Sequence, residues 1–145
     1  MPVYEYPRPA LTVDIVVLAG QPDARRVLLI RRAEEPFVGR WALPGGFVDE
    51  DEPLERAARR ELEEETGLVV DDTPLVQVGT FGDPGRDPRG WTVSVVFGVV
   101  LTGEPPAVVG GDDAREAAWH PLDGLPPLAF DHDIVLATAR AHLGV

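Results

Sequence analysis

Residues 46–68 read GFVDEDEPLERAARRELEEETGL, and their apolar period of about 3.6 residues predicts an amphipathic helix that begins near Pro53. At about 100° of rotation per residue, one side of this helix becomes an apolar stripe. The stripe consists of Leu54, Ala58 and Leu62. Asp51 is the expected N-cap, and Gly67 lies where a left-handed C-terminal residue belongs. The register of this helix is therefore the best defined in the chain.

Acidic side chains border the stripe on the core-facing half of the helix. They are Glu61, Glu64 and Glu65, whereas the opposite half, which we interpret as the solvent face, carries Arg56, Arg59 and Glu63. Carboxylates turned toward a core repel one another and lose hydration, which is costly unless a cation offsets their charge. Acidic helices are also common as plainly solvated surfaces. The position of the three glutamates favours a metal site over that alternative.

The chemistry of these side chains indicates which metal would bind. Oxygen ligands without cysteine or histidine suit Mg²⁺ or Mn²⁺ rather than zinc. Carboxylates spaced three and four residues apart can hold one to three such ions, together with the phosphate oxygens of a substrate. The glycine at position 46 lets a backbone carbonyl approach a cation, and Arg60 can hold a carboxylate by a bidentate pair. Such a site supports direct attack of water on phosphorus.

Length and composition bound the remaining classes of function. The 145 residues fit one domain spanning 1–145, and the absence of cysteine excludes disulfides and thiolate chemistry. The net charge of −12 argues against nucleic acid as the main partner, although metal ions would still allow a small phosphate ligand. No segment has the length of a membrane helix and no signal peptide is evident, so we expect a cytoplasmic protein without a membrane partner.

Strand candidates alternate with turns on both sides of the helix. They cover residues 12–18, 27–30, 41–43, 75–81, 91–102 and 117–120, after an extended arm over residues 1–10. The Pro-Gly-Gly at 44–46 is expected to end any regular element. A second helix is predicted over 130–143, with inward side chains at Ile134, Val135, Leu136, Ala137 and Ala141. Two helices separated by a block of strands suggest an α/β fold with a mixed sheet covered on both faces.

The glutamate-rich segment resembles the Nudix box, which is a glycine, five residues, Glu, seven residues, Arg-Glu, an aliphatic residue, any residue, Glu-Glu, any residue, Gly and an aliphatic residue. Every fixed position is matched, by Gly46, Glu52, Arg60, Glu61, Leu62, Glu64, Glu65, Gly67 and Leu68. The resemblance extends upstream through LLIRRAEEPFVGRWALPGGFV and downstream through AAWHPL. It implies the Nudix-type α/β/α sandwich with a mixed β-sheet. It also implies hydrolysis of a nucleoside diphosphate linked to another moiety.

The resemblance assigns roles to individual residues of the box. Glu61, Glu64 and Glu65 would be metal ligands assisted by the Gly46 carbonyl, and Arg60 with Glu52 would form the supporting ion pair. The base that activates water would be Glu64 or an acid of the later loop GGDDARE, whose acids are Asp112, Asp113 and Glu116. Among the loop acids Glu116 is favoured. The competing interpretation is that all three are surface charges at a turn.

Outside the box, the sequence also indicates a substrate. Pro84 lies sixteen residues after Leu68, which resembles a marker associated with ADP-ribose pyrophosphatases, although Pro88 follows closely. The resemblance therefore implies cleavage of ADP-ribose to AMP and ribose 5-phosphate. The alternatives are a nucleoside triphosphate (mutator-type) or dinucleotide pyrophosphohydrolase and, less favoured, a non-catalytic ADP-ribose sensor. A homodimer through Tyr4 and Tyr6 of the arm and an arm packed on its own domain are equally open.

Four arginines are candidates for contact with the substrate. Arg86 and Arg89 belong to the loop GDPGRDPRG, and their forked guanidinium groups suit a diphosphate. They can equally pair with Asp83 and Asp87 in a rigid turn. Arg31 and Arg32 alternate along one strand, so only one of them can point inward. The histidines lack metal-ligand spacing and are expected to be structural or exposed, and no role is assigned to the segment LAFDHD at 128–133.

Overall fold

The computed structural model describes residues 3–111 and 114–145. In this part of the chain one sheet of seven strands carries two helices. The strands are β1 (Ala10–Ala19), β2 (Arg26–Arg32), β3 (Trp41–Ala42), β4 (Gly45–Phe47), β5 (Val76–Phe81), β6 (Thr92–Leu101) and β7 (Ala114–Pro121). The helices are α1 (Leu54–Thr66) and α2 (His132–Leu143). Within these residues no helix has both the length and the apolar character needed to cross a membrane.

The sheet is mixed, and its central strand is β1. The strand order is β3-β2-β1-β6-β5, with β4 paired to β1 and β7 paired to β2. Strand β1 runs parallel to β6 along its whole length, while β2 and β4 pair with it antiparallel. Strand β2 pairs with β1 only at Leu18 and Ala19, near the end of β1. Strand β4 pairs with the earlier part of β1, from Thr12 to Asp14. Strand β2 therefore diverges from β1, which opens the sheet at one end.

Each face of the sheet is covered by one helix. Alternate residues of β1 point to opposite faces, because side chains alternate along a strand. Val13, Ile15 and Val17 pack in the cluster that contains Leu62 of α1, whereas Val16 and Leu18 pack in the cluster that contains residues of α2. The expected α/β sandwich with a mixed sheet is thereby confirmed, and so are the main strands, although their ends shift by up to three residues.

The ends and the outer face of α1 differ in part from the expectation. Gly67 closes the helix in a left-handed conformation with φ 75° and donates its N–H to the Glu63 carbonyl, as expected. The N-cap is Pro53, so the prediction of Asp51 is wrong; Asp51 has φ 63° within a turn closed by a hydrogen bond from the Glu52 N–H to the Asp49 carbonyl.

Arg59 does not lie on a solvent face, so its predicted position is also wrong. Its guanidinium group donates to the carbonyls of Val70 and Thr73, the latter at 2.9 Å, and pairs with Glu55 at 3.2 Å. These carbonyls belong to the segment that follows the helix. Arg59 therefore ties the chain after α1 back to the helix, a long-range contact that the helical period cannot reveal.

The glycine-rich segment before α1 is part of the sheet, contrary to the expectation that Pro-Gly-Gly ends regular structure. Gly45 and Gly46 pair with Asp14 and Val13 in β4. A side chain at Gly45 would clash with the Val13 carbonyl and with Asp14. The absence of side chains is thus what allows this strand to approach β1.

Helix α2 is rotated relative to the predicted orientation. Its buried residues are His132, Val135, Leu136 and Ala139, whereas Ile134, Ala137 and Ala141 are exposed, so the inward placement of these three is wrong. The imidazole of His132 reaches the core, where its Nδ1 accepts the Leu43 N–H at 3.0 Å. The spacing of three, four and seven residues from His132 then sets the buried side. The buried side of this helix therefore includes a polar residue, His132, together with the apolar residues of the core cluster.

The orientation of α2 can be tested by two truncations. We expect Leu136→Ala, at 2% exposure, to lower the free energy of unfolding by about 2–5 kcal/mol because it leaves a cavity. Ile134→Ala, at 59% exposure, should cost less than about 1 kcal/mol. Urea denaturation of both variants measures the difference. Equal losses would contradict the observed orientation.

Candidate functional site

A cleft of about 300 Å³ opens where β2 diverges from β1. Strand β4, helix α1 and the loop before β6 also contribute to its walls. Carboxylates outnumber guanidinium groups among the lining side chains; the acidic residues are Asp14, Glu34, Glu35, Asp49, Glu61, Glu65 and Asp87, and the basic ones are Arg32, Arg86 and Arg89. The cleft is therefore suited to a ligand that brings cations or many hydrogen-bond donors.

The glycines of β4 bring the backbone against the glutamates of α1. A Cβ atom at Gly46 would lie 2.6 Å from the carboxylate carbon of Glu61. The N–H of Gly45 donates to Glu65 Oε1 at 2.8 Å, and Glu65 is buried. Two carboxylates of α1 are therefore fixed beside the β4 backbone at the wall of the cleft.

Arg60 holds the other carboxylates of this region together. Its Nε and Nη2 donate to the two oxygens of Glu52, at 2.7 and 2.9 Å. Its Nη1 donates to Glu61 Oε1 at 2.8 Å and to Glu64 Oε2 at 3.2 Å. The hydrogen bond from Arg60 lowers the pKa of Glu52 to about 2, and the same contact raises the pKa of Arg60. The guanidinium group thus supplies the positive charge that clustered carboxylates require.

These side chains offer a divalent metal only oxygen donors. Glu61 and Glu65 line the cleft, and the side chain of Glu64 is 42% exposed beside them. Within residues 3–111 and 114–145 no three acidic or histidine side chains converge as a ready ligand set, since Glu61 and Glu64 hydrogen-bond to Arg60. The donor chemistry and the clearance left by Gly46 fit a hard cation such as Mg²⁺ or Mn²⁺.

Of the two arginines on β2, Arg32 is the one that lines the cleft. Its Nε donates to the Pro36 carbonyl at 2.7 Å, and its guanidinium group lies 5.0 Å from the ring centre of Phe130. Arg31 lies elsewhere, since it donates to the Gly39 carbonyl at 3.0 Å and pairs with Glu116 at 3.2 Å. The alternation expected along the strand therefore separates their roles.

The structure does not bring Glu116 to the glutamates of α1. Ala117 and Trp119 pack in the cluster that contains α1, so the alternation of β7 directs Glu116 to the other face of the sheet. Its carboxylate pairs there with Arg31, its direct register partner. Asp112 and Asp113, the other acids proposed on this loop, lie outside the described residues.

The loop between β5 and β6 uses its two arginines differently. Arg86 donates from Nε and Nη2 to the two carboxylate oxygens of Asp131, at 2.9 and 2.7 Å, and from Nη1 to Ser94 at 2.7 Å. Arg89 pairs with Asp87 at 2.8 Å. This is one of the ion pairs that the alternative of a rigid turn expected. Its guanidinium group also lies 5.0 Å from the ring centre of Phe47 and 5.5 Å from that of Phe130. Both arginines line the cleft, whereas Pro84 is exposed and does not.

Several polar residues of the cleft floor were not singled out from the sequence. They are Thr12, Asp14, Ser94, Asp131 and His132, and all but Asp131 line the cleft. Asp14 interrupts the apolar run TVDIVVL, which was a usable signal. The segment LAFDHD supplies Asp131 for Arg86 and His132 for the core. Burial raises the pKa of Asp14 and lowers the pKa of His132.

A mixed sheet between two helices, with a glutamate-rich helix set against a glycine-bearing strand, defines the Nudix class of domains. The model of the NUDIX domain family matches residues 8–139. The chain therefore belongs to the Nudix family.

Similar proteins include enzymes and regulators. The ADP-ribose pyrophosphatase of Methanocaldococcus jannaschii is 45% identical over 132 residues, which cover 90% of this chain and 73% of the relative. The ADPR responsive transcriptional repressor NtrR of Acinetobacter baylyi is 36% identical over 143 residues, with coverage of 96% and 56%. The solved NUDIX domain of Shewanella oneidensis NrtR complexed with ADP ribose superposes with a TM-score of 0.86 at 36% identity, with coverage of 95% and 90%.

The contact between Gly46 and Glu61 can be tested with a single methyl group. We expect Gly46→Ala to displace the Glu61 carboxylate and to weaken apparent Mg²⁺ or Mn²⁺ binding about tenfold or more. The readout is the rise of the thermal unfolding midpoint with metal concentration. Gly124→Ala is the matched control, because nothing lies within 4 Å of a Cβ at that position. Identical metal titrations for both variants would contradict the idea that the close approach of Gly46 to Glu61 matters for metal binding.

The ion pair of Glu52 with Arg60 predicts a pH dependence. Because the folded-state pKa of Glu52 is about 2, its stabilising contribution is complete above the ordinary value of 4.5 and declines as the pH falls toward 2. Glu52→Gln should therefore reduce stability at pH 7, and the difference from the wild type should shrink between pH 4.5 and 2. Denaturation at several pH values measures it, with exposed Glu63→Gln as control. A difference that grows in acid would contradict the assignment.

Proposed function

We propose that this protein is a metal-dependent pyrophosphohydrolase that cleaves ADP-ribose to AMP and ribose 5-phosphate by attack of water on phosphorus. The observation that carries the proposal is the contact of Gly46 with Glu61 and of Gly45 with Glu65 at the wall of an arginine-bearing cleft. The identity of 45% to an ADP-ribose pyrophosphatase supports this substrate.

Within this proposal the glutamates of α1 hold one to three Mg²⁺ or Mn²⁺ ions. The ligands are Glu61, Glu64 and Glu65 with the carbonyl of Gly46. When bound, the metal polarises the phosphate oxygens and makes a bound water more acidic. Arg60 and Glu52 orient the ligands, because the bidentate pair fixes the guanidinium group that contacts Glu61 and Glu64.

The proposed base is Glu64. Its carboxylate is the more solvent-accessible member of the set and hydrogen-bonds to Arg60, so it is oriented and still reachable by a water molecule. Glu116 is less suited to this role because its ion pair with Arg31 lies on the other face of the sheet. Glu64 would accept the proton of the attacking water on a carboxylate oxygen.

The arginines of the cleft are proposed to bind the diphosphate. Arg32 and Arg89 present guanidinium groups next to Phe130, where they can bind phosphate oxygens. Arg86 acts by positioning, since its fork is engaged with Asp131 and its side chain is only 6% exposed, against 41% for Arg89. Arg31 supports the segment before β3 through Gly39, and the marker Pro84 stays a sequence-based prediction.

The assembly and surroundings of the protein belong to the same proposal. We place it in the cytoplasm as a single domain over 1–145, with a small nucleotide as substrate and with neither nucleic acid nor membrane as partner. The net charge of −12 supports the exclusion of nucleic acid. A homodimer through the arm is also proposed, supported by the exposure of Tyr4 and Tyr6.

Two other functions remain as candidates. Binding of ADP-ribose without hydrolysis is favoured by the identity of 36% to a transcriptional repressor that responds to this ligand, and by the superposition on an ADP-ribose complex. Hydrolysis of nucleoside triphosphates or dinucleotides would use the same metal site, because the residues of the Nudix box do not distinguish one nucleotide substrate from another.

Product analysis distinguishes these functions. We expect the purified protein with Mg²⁺ to convert ADP-ribose to AMP and ribose 5-phosphate, in preference to triphosphates and dinucleotides, and to lose activity with a chelator. Glu64→Gln should lower kcat at least about 100-fold, as expected for removal of a general base. Exposed Glu63→Gln is the control on the same helix and should retain activity. Chromatography of the products is the measurement.

Each other result has a defined meaning. Preference for a triphosphate would overturn the substrate and leave the enzyme class. Binding of ADP-ribose without turnover of any nucleotide would establish the sensor instead. Full activity of Glu64→Gln would remove Glu64 as the base.

A further inference from the structure

A carboxylate lies buried in the middle of the central strand. Asp14 is only 7% exposed, between Val13 and Ile15, and lines the floor of the cleft. Burial of a carboxylate is costly unless hydrogen bonds compensate for the lost water. An apolar residue would suit the strand better, so the position of Asp14 calls for a compensating partner.

The hydrogen-bond donors around Asp14 compensate only in part for the water that its carboxylate loses on burial. The guanidinium group of Arg86 is engaged with Asp131 and with Ser94. Ser94, which also contacts the Thr12 hydroxyl, offers Asp14 one hydrogen bond. His132 accepts the Leu43 N–H on Nδ1, and its Nε2 is 3.7 Å from Asp14 Oδ2, beyond hydrogen-bond distance. A carboxylate has about four acceptor positions, so acceptor capacity remains for a ligand in the cleft.

The position of Asp14 relative to the metal-binding glutamates indicates which part of a ligand it meets. Asp14 pairs with Gly45 across β1 and β4, and a Cβ at Gly45 would clash with Asp14 Oδ1. The N–H of the same Gly45 donates to Glu65. The carboxylate therefore lies beside the same β4 glycine that contacts Glu65, one of the proposed metal ligands. In a nucleotide the ribose ring is joined to the phosphate through one oxygen and one methylene carbon, so a ribose next to the phosphate lies in the cleft whose floor Asp14 lines.

We propose that Asp14 accepts hydrogen bonds from the adjacent hydroxyls of a ribose and makes the protein select ribonucleotides over deoxyribonucleotides. Two neighbouring O–H groups match the two oxygens of one carboxylate, as in the acidic residue that binds the ribose in dinucleotide folds. Ser94 positions the carboxylate. This inference rests on the proposed function, and the ribose is that of the adenosine or the terminal one.

The test compares ADP-ribose with two analogues, one lacking the 2′-hydroxyl of the adenosine and one lacking the 2-hydroxyl of the terminal ribose. We expect the wild type to lose about 10- to 100-fold in kcat/KM, mainly through KM, on one analogue, since a hydrogen bond to a charged group is removed. The affected analogue identifies the ribose. In Asp14→Asn this discrimination should fall at least about fivefold, and in Asp14→Val it should disappear.

The readout is the ratio of kcat/KM between substrate and analogue, which a purely structural role of Asp14 would not change. The control is Asp133→Asn, an exposed position on α2, whose ratio should equal that of the wild type. A wild-type ratio below about 2 on both analogues overturns the proposal and requires no folded variant. An unchanged ratio in Asp14→Asn and Asp14→Val overturns it as well.

Failure of the proposed function would be visible separately. If another nucleotide is the substrate, the ribose and deoxyribose forms of that nucleotide replace the ADP-ribose pair. If nothing is hydrolysed, equilibrium dissociation constants of the same ligands give the ratio. Loss of discrimination in the Asp14 variants supports the inference in each case, and retained discrimination overturns it.

Discussion

The rest of the site depends on the hydrogen bonds that the guanidinium group of Arg60 donates to carboxylates. This group joins Glu52, which precedes the helix, to Glu61 and Glu64 on α1, and its Nη2 also donates to the Phe47 carbonyl of β4 at 3.2 Å. One cation thus compensates several carboxylates that would otherwise repel one another. It also fixes the strand, the turn and the helix relative to one another.

The second constraint is the divergence of β2 from β1. Strand β4 occupies the vacated edge of β1, and it can do so because a side chain at Gly45 would clash with that strand. The same geometry produces the cleft and places the α1 glutamates at its wall. Fold and site are therefore not separable here, since the close backbone approach that completes the sheet also forms the wall of the cleft that Glu61 and Glu65 line.

Sequence reasoning succeeded where the signal is local. The helical period and the turn residues placed α1 and its end at Gly67, and the resemblance to the Nudix box implied the pairing of Arg60 with Glu52. It failed where a distant group competes. Arg59 donates to carbonyls beyond the helix, and α2 turns His132 rather than Ile134 toward the core, where the imidazole accepts the Leu43 N–H. Hydrophobic periodicity counts apolar residues and does not anticipate a buried histidine.

The sequence by itself determined the family, the fold class and the helix that carries the glutamates, because these follow from the spacing of neighbouring residues. The tertiary structure alone decided which arginine of β2 lines the cleft, that Glu116 faces the other side of the sheet, and that Asp14 meets His132. Such contacts join residues that are far apart in the chain. The hydroxyls of Thr12 and Ser94, which hydrogen-bond to each other, are an example. Only the pairing of β1 with β6 brings them together, across a separation of 82 residues along the chain.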